Sequence, residues 1–157
     1  MDNRYLYKAK RADNGEWVCG NRIDDGVTGK TYIHAVGNSV NETDNVGEEG
    51  FLRFVAFEVD PSTICQCTGK EYMNCEIAYE GDIFESQISG DIMILRYGTY
   101  QAYCPVDKDY MDSVGFYAEC KDYPDMPIGD LKEYALKKGN IFDNPELLEV
   151  EPCKEES

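Results

Sequence analysis

The chain has 157 residues, and 31 Asp and Glu against 15 Lys and Arg give it a net charge of −16 at pH 7. This length suits one domain with its own hydrophobic core, and an apolar fraction of 42% with 29% charged residues argues against global disorder. The negative charge repels DNA, RNA and anionic membranes, so it favours basic partners.

The cysteine content and the N-terminal residues bear on the compartment. Seven Cys at irregular spacing fit free thiols in a reducing environment better than a secreted disulfide framework. No window approaches the ~18 apolar residues of a membrane span, and Met1-Asp2-Asn3-Arg4 lacks the apolar core of a signal peptide. We therefore expect a soluble cytoplasmic protein without membrane association.

The N-terminal part is expected to open with a β-hairpin. Extended runs at 5–10 and 17–19 flank Asn14-Gly15, a pair that favours φ > 0 at both central positions of a two-residue turn. A further extended run covers 30–36.

The next stretch contrasts a polar loop with an apolar strand. Residues 37–50 are rich in Asn, Ser, Glu, Asp and Gly, which predicts a mobile acidic loop. Residues 51–59 are the most apolar run and stop at Asp60-Pro61, which predicts a buried strand. We expect the hydrophobic core to lie around this strand.

The sharpest local signal is the pair Gly81 and Asp82, which stands between Tyr79 and the apolar run 83–84. Gly81 can take φ > 0 or a bulge conformation without steric cost, and Asp82 can accept a neighbouring backbone N–H while the strand resumes. Tyr79, Gly81 and Asp82 are therefore assigned to a structural turn, a corner in a curved sheet.

Further extended runs at 91–97, 100–104 and 115–120 follow, with Gly98 as punctuation and an acidic turn at 107–112. About eight short strands at this spacing are typical of a sandwich or a closed barrel. The fold class predicted is mainly β, a single-domain barrel-like or sandwich sheet over residues 1–157.

The C-terminal part predicts the helical content. Asp130 is a good N-cap with a Glu three residues later, and Gly139 provides a C′ glycine, so one short C-terminal helix is expected between them. Asn144 and Pro145 provide a capping side chain and an N1 proline for a single helical turn. The charged tail 149–157 is expected to fray.

Four segments in this order and spacing resemble the YopX family of small proteins encoded mostly by bacteriophages and prophages. The segments are Asp13-Asn14-Gly15-Glu16-Trp17-Val18, Gln66-Cys67-Thr68-Gly69, Tyr79-Glu80-Gly81-Asp82-Ile83 and Gly139-Asn140-Ile141-Phe142-Asp143-Asn144-Pro145-Glu146-Leu147-Leu148. The resemblance covers nearly the whole chain. It implies an all-β, barrel-like fold and a phage or prophage origin, with the host cytoplasm as the site of action.

The resemblance brings no established activity, cofactor or catalytic residue. The chain also departs from the family pattern between Gly69 and Ile77, where a glycine-containing turn is usual and none is present. The type of the hairpin there stays open.

Cys65, Cys67 and Cys75 form the only cysteine cluster. A zinc site would need a fourth ligand, and the candidates elsewhere are Cys104, Cys120 and His34. No Cys-x-x-Cys pair exists, and Cys65 and Cys67 stand two apart in an extended run, where they would share a face as small core residues. We therefore expect no metal.

No constellation supports catalysis. His34 is the only histidine, so any Cys/His or Ser/His/Asp mechanism would pass through it, and no nucleophile-bearing turn is near it in sequence. Glu80 and Asp82 flank Gly81 and fit a backbone-capping turn better than an acid/base pair. The acidic run 107–112 fails the register of a calcium loop. The sequence predicts no enzyme and no cofactor.

One basic cluster suggests a ligand. Lys8, Lys10 and Arg11 could line a local anion pocket, with Trp17 available to stack on a base. The alternative is a solvated hairpin edge whose Lys side chains prevent edge-to-edge aggregation.

The expected function is that of a non-enzymatic phage accessory protein, a β-barrel module that binds a host or phage macromolecule, with a protein partner. One alternative is an acidic nucleic-acid mimic that occupies a basic cleft of a host DNA-binding or defence protein. The other is a binder of a small anionic ligand such as a nucleotide signal. Direct DNA or RNA binding is not expected, and exposed strand edges would also allow a homo-oligomer.

Overall fold

A computed structural model of the chain describes residues 6–35 and 56–149. The chain forms two compact units, Met1–Cys67 and Thr68–Ser157. The predicted acidic loop 37–50 lies outside the described residues, as does all but the first residue of the predicted tail 149–157. The single domain over 1–157 stays a prediction. The class is mainly β, as predicted.

The first unit is built on an antiparallel sheet. Its strands are β1 (Tyr7–Lys10), β2 (Trp17–Asp24), β3 (Thr31–Ala35), β4 (Ala56–Val59) and the beginning of β5 (Cys65–Glu71), in the spatial order β4-β3-β2-β1-β5. The buried residues Ala9, Val18, Ile33 and Val59 form its core. Of the strand predicted over 51–59, the described part is β4, and Val59 is its buried residue.

The opening hairpin is present, but the two-residue turn at Asn14-Gly15 is wrong. The strands separate at the pair Lys10 and Trp17, so the loop is longer. Gly15 has φ 76° and Asn14 does not take a positive φ. The Asn14 side chain instead accepts the Glu16 N–H at 2.9 Å, and Gly15 N donates to Arg11 O. The local Asx bond replaces the tighter turn.

The second unit contains the rest of β5, which lies beside β6, and a five-stranded antiparallel sheet in the order β10-β9-β8-β7-β11. Its strands are β6 (Ile77–Tyr79), β7 (Asp82–Ser86), β8 (Ile92–Cys104), β9 (Asp109–Cys120), β10 (Tyr123–Pro127) and β11 (Ala135–Asn140). Tyr72, Phe84, Leu95 and Leu131 are fully buried in its core. Both sheets are open across the described strands, so they do not close into a barrel.

The predicted short C-terminal helix is wrong. Asp130 does cap a turn, because its side chain accepts the Lys132 N–H at 3.2 Å. The turn is a 3₁₀ turn, Leu131–Glu133, and the chain then becomes β11. β11 pairs with β7 from Ala135 to Asn140, with a register shift between Lys137 and Gly139, so the sheet overrides the helical propensity of these residues. Pro145–Leu148 forms the single helical turn expected there.

Two strands are much longer than the sequence predicted. Gly98 lies inside β8 and pairs with Gly115 of β9, so it does not separate two strands. The ladder between β8 and β9 is continuous from Met93 and Cys120 to Cys104 and Asp109. The predicted acidic turn 107–112 therefore contains the tip of a long hairpin and the beginning of β9.

The turn between β5 and β6 shows the type of hairpin that the sequence left open between Gly69 and Ile77. Tyr72 N donates to Glu76 O at 2.8 Å, and Cys75 N donates to Tyr72 O at 2.9 Å. Cys75 takes φ 71°, a left-handed conformation that favours glycine. Cys75 thus occupies a position whose backbone conformation favours glycine.

We expect Cys75→Gly to stabilise the protein by about 0.5–1 kcal/mol, because it removes the strain of a left-handed backbone conformation. The greater conformational entropy of glycine in the unfolded chain is already subtracted from this gain. Cys75 is exposed, so no packing is lost. Thermal unfolding followed by circular dichroism measures the effect. The matched control Cys19→Gly changes an exposed cysteine inside β2 and should destabilise. A lower unfolding temperature for Cys75→Gly would contradict the strain argument.

Candidate binding surface

The basic residues predicted to hold an anion lie on both faces of the first sheet. Lys8, Lys10 and Trp17 share one face, because Lys10 pairs with Trp17 and Lys8 is two residues earlier on β1. The Lys8 and Lys10 ammonium nitrogens lie 4.7 Å and 5.4 Å from the Trp17 ring centroid. The indole that was expected to stack on a base therefore packs against two ammonium groups.

Arg11 does not join this group. Its guanidinium lies 4.3 Å from the Phe57 ring centroid and makes a two-point ion pair with Asp13, with Nε–Oδ1 at 3.0 Å and Nη2–Oδ2 at 2.7 Å. Hydrogen bonding by Arg11 holds the pKa of the Asp13 carboxyl below its ordinary value. The structure thus brings together three of the four predicted ligand residues.

The Gly81 corner is present and is built around a buried carboxylate. Gly81 has φ 90°, and the turn at 80–81 joins β6 to β7. Asp82 is fully buried and accepts the Tyr79 N–H at 2.9 Å and the Tyr72 hydroxyl at 2.8 Å, both at Oδ2. The Lys137 ammonium lies 3.6 Å from Oδ1. Through these three contacts, Asp82 of β7 is linked to β6, to the β5–β6 turn and to β11.

The C-terminal turn residues meet the same corner. Ile141 N donates to Gly81 O at 2.9 Å, and Asn140 is the strand partner of Asp82. The Asn144 side chain does not cap the following 3₁₀ turn but accepts the Asn140 N–H at 3.2 Å. A Cβ on Gly139 would overlap Asn144. These contacts are structural and leave Asp82 closed to solvent.

The cysteines show the packing that was predicted for two of them. Cys65 and Cys67 are 2% and 0% exposed, and Cys75 is exposed. Within residues 6–35 and 56–149, no group of three His, Cys, Asp or Glu side chains is arranged to hold a metal ion. None of the helical turns in those ranges has the length and hydrophobicity needed to cross a membrane.

The feature that sequence reasoning missed is the far end of the β8–β9 hairpin, residues 97–116, which we call the arm. Met93 and Leu95 of β8 and their partners Cys120 and Ala118 are buried in the core. Because side chains alternate along a strand, the same face continues outward along the arm. It carries Tyr97 opposite Phe116, Thr99 opposite Val114, Gln101 opposite Asp112 and Tyr103 opposite Tyr110.

This continuation, which we call the tyrosine face, is open to solvent. Tyr97, Tyr103 and Tyr110 are 48%, 53% and 47% exposed, and Val114 is 71% exposed. Tyr97 packs edge-on against Phe116 at 4.9 Å between ring centroids, and Tyr103 packs edge-on against Tyr110 at 5.3 Å. Two pairs of exposed or partly exposed rings thus continue a face that is buried at the base of the hairpin.

The opposite face of the arm explains how the hairpin keeps its shape. Tyr100 and Tyr117 stack at 4.8 Å between ring centroids with an angle of 24° between planes. They lie on either side of the Gly98–Gly115 pair on the same face, so the rings cover a stretch that has no side chains. Arg96 and Glu119 form an ion pair of 2.8 Å nearer the sheet.

A sequence signal for the arm did exist. Most odd positions from Met93 to Tyr103 and most even positions from Tyr110 to Cys120 are apolar or aromatic, which is a partial period-2 pattern on each strand. The exceptions are Thr99, Gln101 and Asp112. Gly98, predicted to separate two strands, interrupts this pattern only in the sequence, because it lies inside β8. A glycine inside a strand also marks a bend or a close approach.

No family model matches the chain, and no curated protein matches it.

The buried Tyr72–Asp82 pair predicts a pH dependence at alkaline pH. Burial, with the Asp82 carboxylate beside it, raises the pKa of Tyr72 above its ordinary value of 10.0. An unfolded chain therefore releases the Tyr72 proton at a pH where the folded chain keeps it, so the contribution to stability is full below pH ~10 and is lost as pH rises further.

We expect Tyr72→Phe to lower stability at neutral pH by about 1–3 kcal/mol, because the buried carboxylate loses a donor. It should also flatten the fall of stability above pH 10 by up to about 1.4 kcal/mol per pH unit. Urea unfolding at several pH values measures both effects. Tyr103→Phe, at an exposed ring, is the control and should change neither. An unaltered alkaline slope in Tyr72→Phe would contradict the assignment.

Proposed function

We propose that the protein is a non-enzymatic binding module that holds a basic segment of another protein against the tyrosine face of the arm. The observation that carries this proposal is the uncovered continuation of the core face, from Met93 and Leu95 to Tyr97 and Tyr103. This face of the hairpin is buried at its base and carries exposed aromatic rings towards its tip. Such an apolar, aromatic surface is suited to burial against another protein.

The arm offers binding area at low entropic cost. Its edge-on ring pairs, Tyr97 with Phe116 and Tyr103 with Tyr110, already restrain the side chains on both strands. Tyr is favoured at recognition surfaces because it supplies a large rigid contact with only two side-chain torsions. Ordering these side chains on binding therefore costs little, and the aromatic pairs are good candidates for the energetic centre of an interface.

The charge of the arm supports a basic partner. Residues 97–116 contain three Asp and one Lys, net −2, within a chain of net charge −16. The electron-rich faces of tyrosine rings attract Lys and Arg side chains, and nearby carboxylates add to this attraction. A polyanion such as DNA or RNA is repelled by the same field. A partner segment rich in Lys or Arg fits both features.

Nucleic-acid mimicry is a second candidate, favoured by the net charge of −16 alone. It requires carboxylates to act together as phosphate substitutes, and it makes no use of the tyrosine face. Several surface carboxylates near basic side chains are engaged in ion pairs, among them Asp13, Asp24 and Glu119. Substitutions on the arm that leave the charge unchanged therefore distinguish the two candidates. They should weaken binding if the tyrosine face is the binding surface, and they should have no effect if the protein is a nucleic-acid mimic.

The phage or prophage origin implied by the YopX resemblance is part of this proposal. It would make the partner a basic protein of the host or of the phage itself. The binding of a small anion by the Lys8 and Lys10 face remains a separate proposal, and it would need the two ammonium groups to leave the Trp17 ring.

A defined probe tests the arm. Fluorescence anisotropy at physiological salt would measure binding of a short labelled peptide of alternating Arg and Val, with a peptide of alternating Glu and Val as the comparison. We expect the Arg peptide to bind and the Glu peptide not to bind. The double variant Tyr103→Ser/Tyr110→Ser keeps the charge unchanged and should weaken binding by about tenfold or more, since two aromatic contacts are lost.

Tyr123→Ser is the matched control, because Tyr123 is 52% exposed but belongs to β10 outside the arm. It should bind the Arg peptide as the wild type does. Equal affinity of the double variant and the wild type, with binding that disappears at moderate salt, would overturn the arm proposal and support mimicry by charge alone.

A further inference from the structure

We propose that the partner segment binds as an added β-strand along the outer edge of β9, between Tyr110 and Phe116. This inference rests on the proposed function and specifies its geometry. Backbone hydrogen bonds to an exposed sheet edge provide affinity in this mode of recognition, and side chains on alternate positions provide selectivity.

The direction of the backbone groups follows from the register. Leu95 O accepts from Gly81 N at 2.7 Å on the side of β7. Because backbone groups of successive residues point to opposite edges of a strand, Tyr97, Thr99, Gln101 and Tyr103 also direct their N–H and C=O groups away from β9. In an antiparallel ladder, the β9 partners of these residues direct their N–H and C=O groups away from β8. These partners are Phe116, Val114, Asp112 and Tyr110.

Neighbouring strands cover only the base of the hairpin. β7 pairs with β8 at Ile92, Met93 and Ile94, and β10 pairs with β9 from Tyr117 to Cys120. No strand within residues 6–35 and 56–149 pairs with either edge of the arm. No described strand therefore covers the two rows of backbone donors and acceptors along the arm, an arrangement that proteins otherwise avoid or block. At the tip, the Tyr110 N–H donates to Asp109 Oδ1 at 2.7 Å, so the donors of β9 left for an added strand are those of Asp112, Val114 and Phe116.

The β8 and β9 edges of the arm differ in their charged residues. The β8 edge from Tyr97 to Cys104 has no Asp, Glu, Lys or Arg, whereas the β9 edge carries Asp109 and Asp112 and no basic residue up to Phe116. In a strand added to β9, a Lys or Arg opposite or diagonal to Asp112 would make a favourable cross-strand pair. The β8 edge offers a basic strand no such pair, so the β9 edge is the docking site.

A proline at an outward-facing position tests the edge. Val114 and Thr99 are cross-strand partners, and the N–H of each points away from the other strand. Val114→Pro removes one outward N–H of β9, and Thr99→Pro removes the equivalent N–H of β8. Proline is accepted in edge strands where its N–H would face solvent, so both variants should keep the β8–β9 ladder, which circular dichroism and thermal unfolding would check.

We expect Val114→Pro to weaken binding of the Arg-Val peptide by about tenfold or more, because the added strand loses a hydrogen bond and meets the proline ring. Thr99→Pro also changes a side chain on the tyrosine face, but it leaves the β9 edge open, so it should weaken binding far less than Val114→Pro. Val114→Ala separates the loss of the side chain from the block of the edge and should have a small effect. An Arg-Val peptide N-methylated at every residue has no N–H on either edge and should fail to bind the wild type, which tests the same hydrogen bonds without changing the protein.

The outcomes separate this inference from the proposed function. If Tyr103→Ser/Tyr110→Ser loses binding while Val114→Pro keeps it, the tyrosine face binds the segment and strand addition is wrong. Equal losses in Val114→Pro and Thr99→Pro would overturn the choice of edge. A wild-type dimer in sedimentation velocity that Val114→Pro dissolves would show that a second copy occupies the edge and would also overturn the inference.

Discussion

Side chains alternate between the two faces of a strand for as long as the strand lasts, and this constraint determines the surface of the second unit. Met93 and Leu95 are buried where β8 lies between β7 and β9. Because the ladder of β8 with β9 continues without a register shift to Cys104 and Asp109, the core-facing side of the hairpin extends beyond the neighbouring strands. Aromatic residues occupy the extension, so a surface of core character meets solvent.

The arm needs internal support because two-stranded ribbons are only marginally stable by themselves. Cross-strand aromatic pairs provide it on both faces: Tyr97 with Phe116 on one, and Tyr100 stacked on Tyr117 on the other. At its base the hairpin belongs to a sheet that is fixed by the Asp82 corner. The fully buried carboxylate, its Tyr72 donor and the nearby Lys137 ammonium hold β7 and β11 together, and β7 positions β8.

Local chemistry was predictable from the sequence where one residue decides the conformation. Gly81 has the positive φ that its place in the chain suggested, and Asp82 accepts the nearby Tyr79 N–H. Asp130 caps a turn, as expected, but the residues after it have a choice between continuing a helix and pairing with β7. That choice depends on a strand about fifty residues away in sequence, which local propensity does not contain.

The arm was missed for a different reason. Glycine ends many strands, but Gly98 and Gly115 pair with each other, and flanking tyrosines cover the space above them. Only the pairing of the two strands shows that each glycine is tolerated. Similarly, the anion site expected from Lys8, Lys10, Arg11 and Trp17 depended on a common face, and the register places Arg11 elsewhere, against Phe57.

We propose that the uncovered tyrosine face, and not the overall negative charge, recognises the partner segment. A titration of the ¹⁵N-labelled protein with the Arg-Val peptide, followed by ¹H–¹⁵N correlation spectra, tests it most directly. The account predicts saturable shifts concentrated in the backbone amides of residues 97–116. Shifts spread over acidic residues across both units, with none concentrated in the arm, would contradict it.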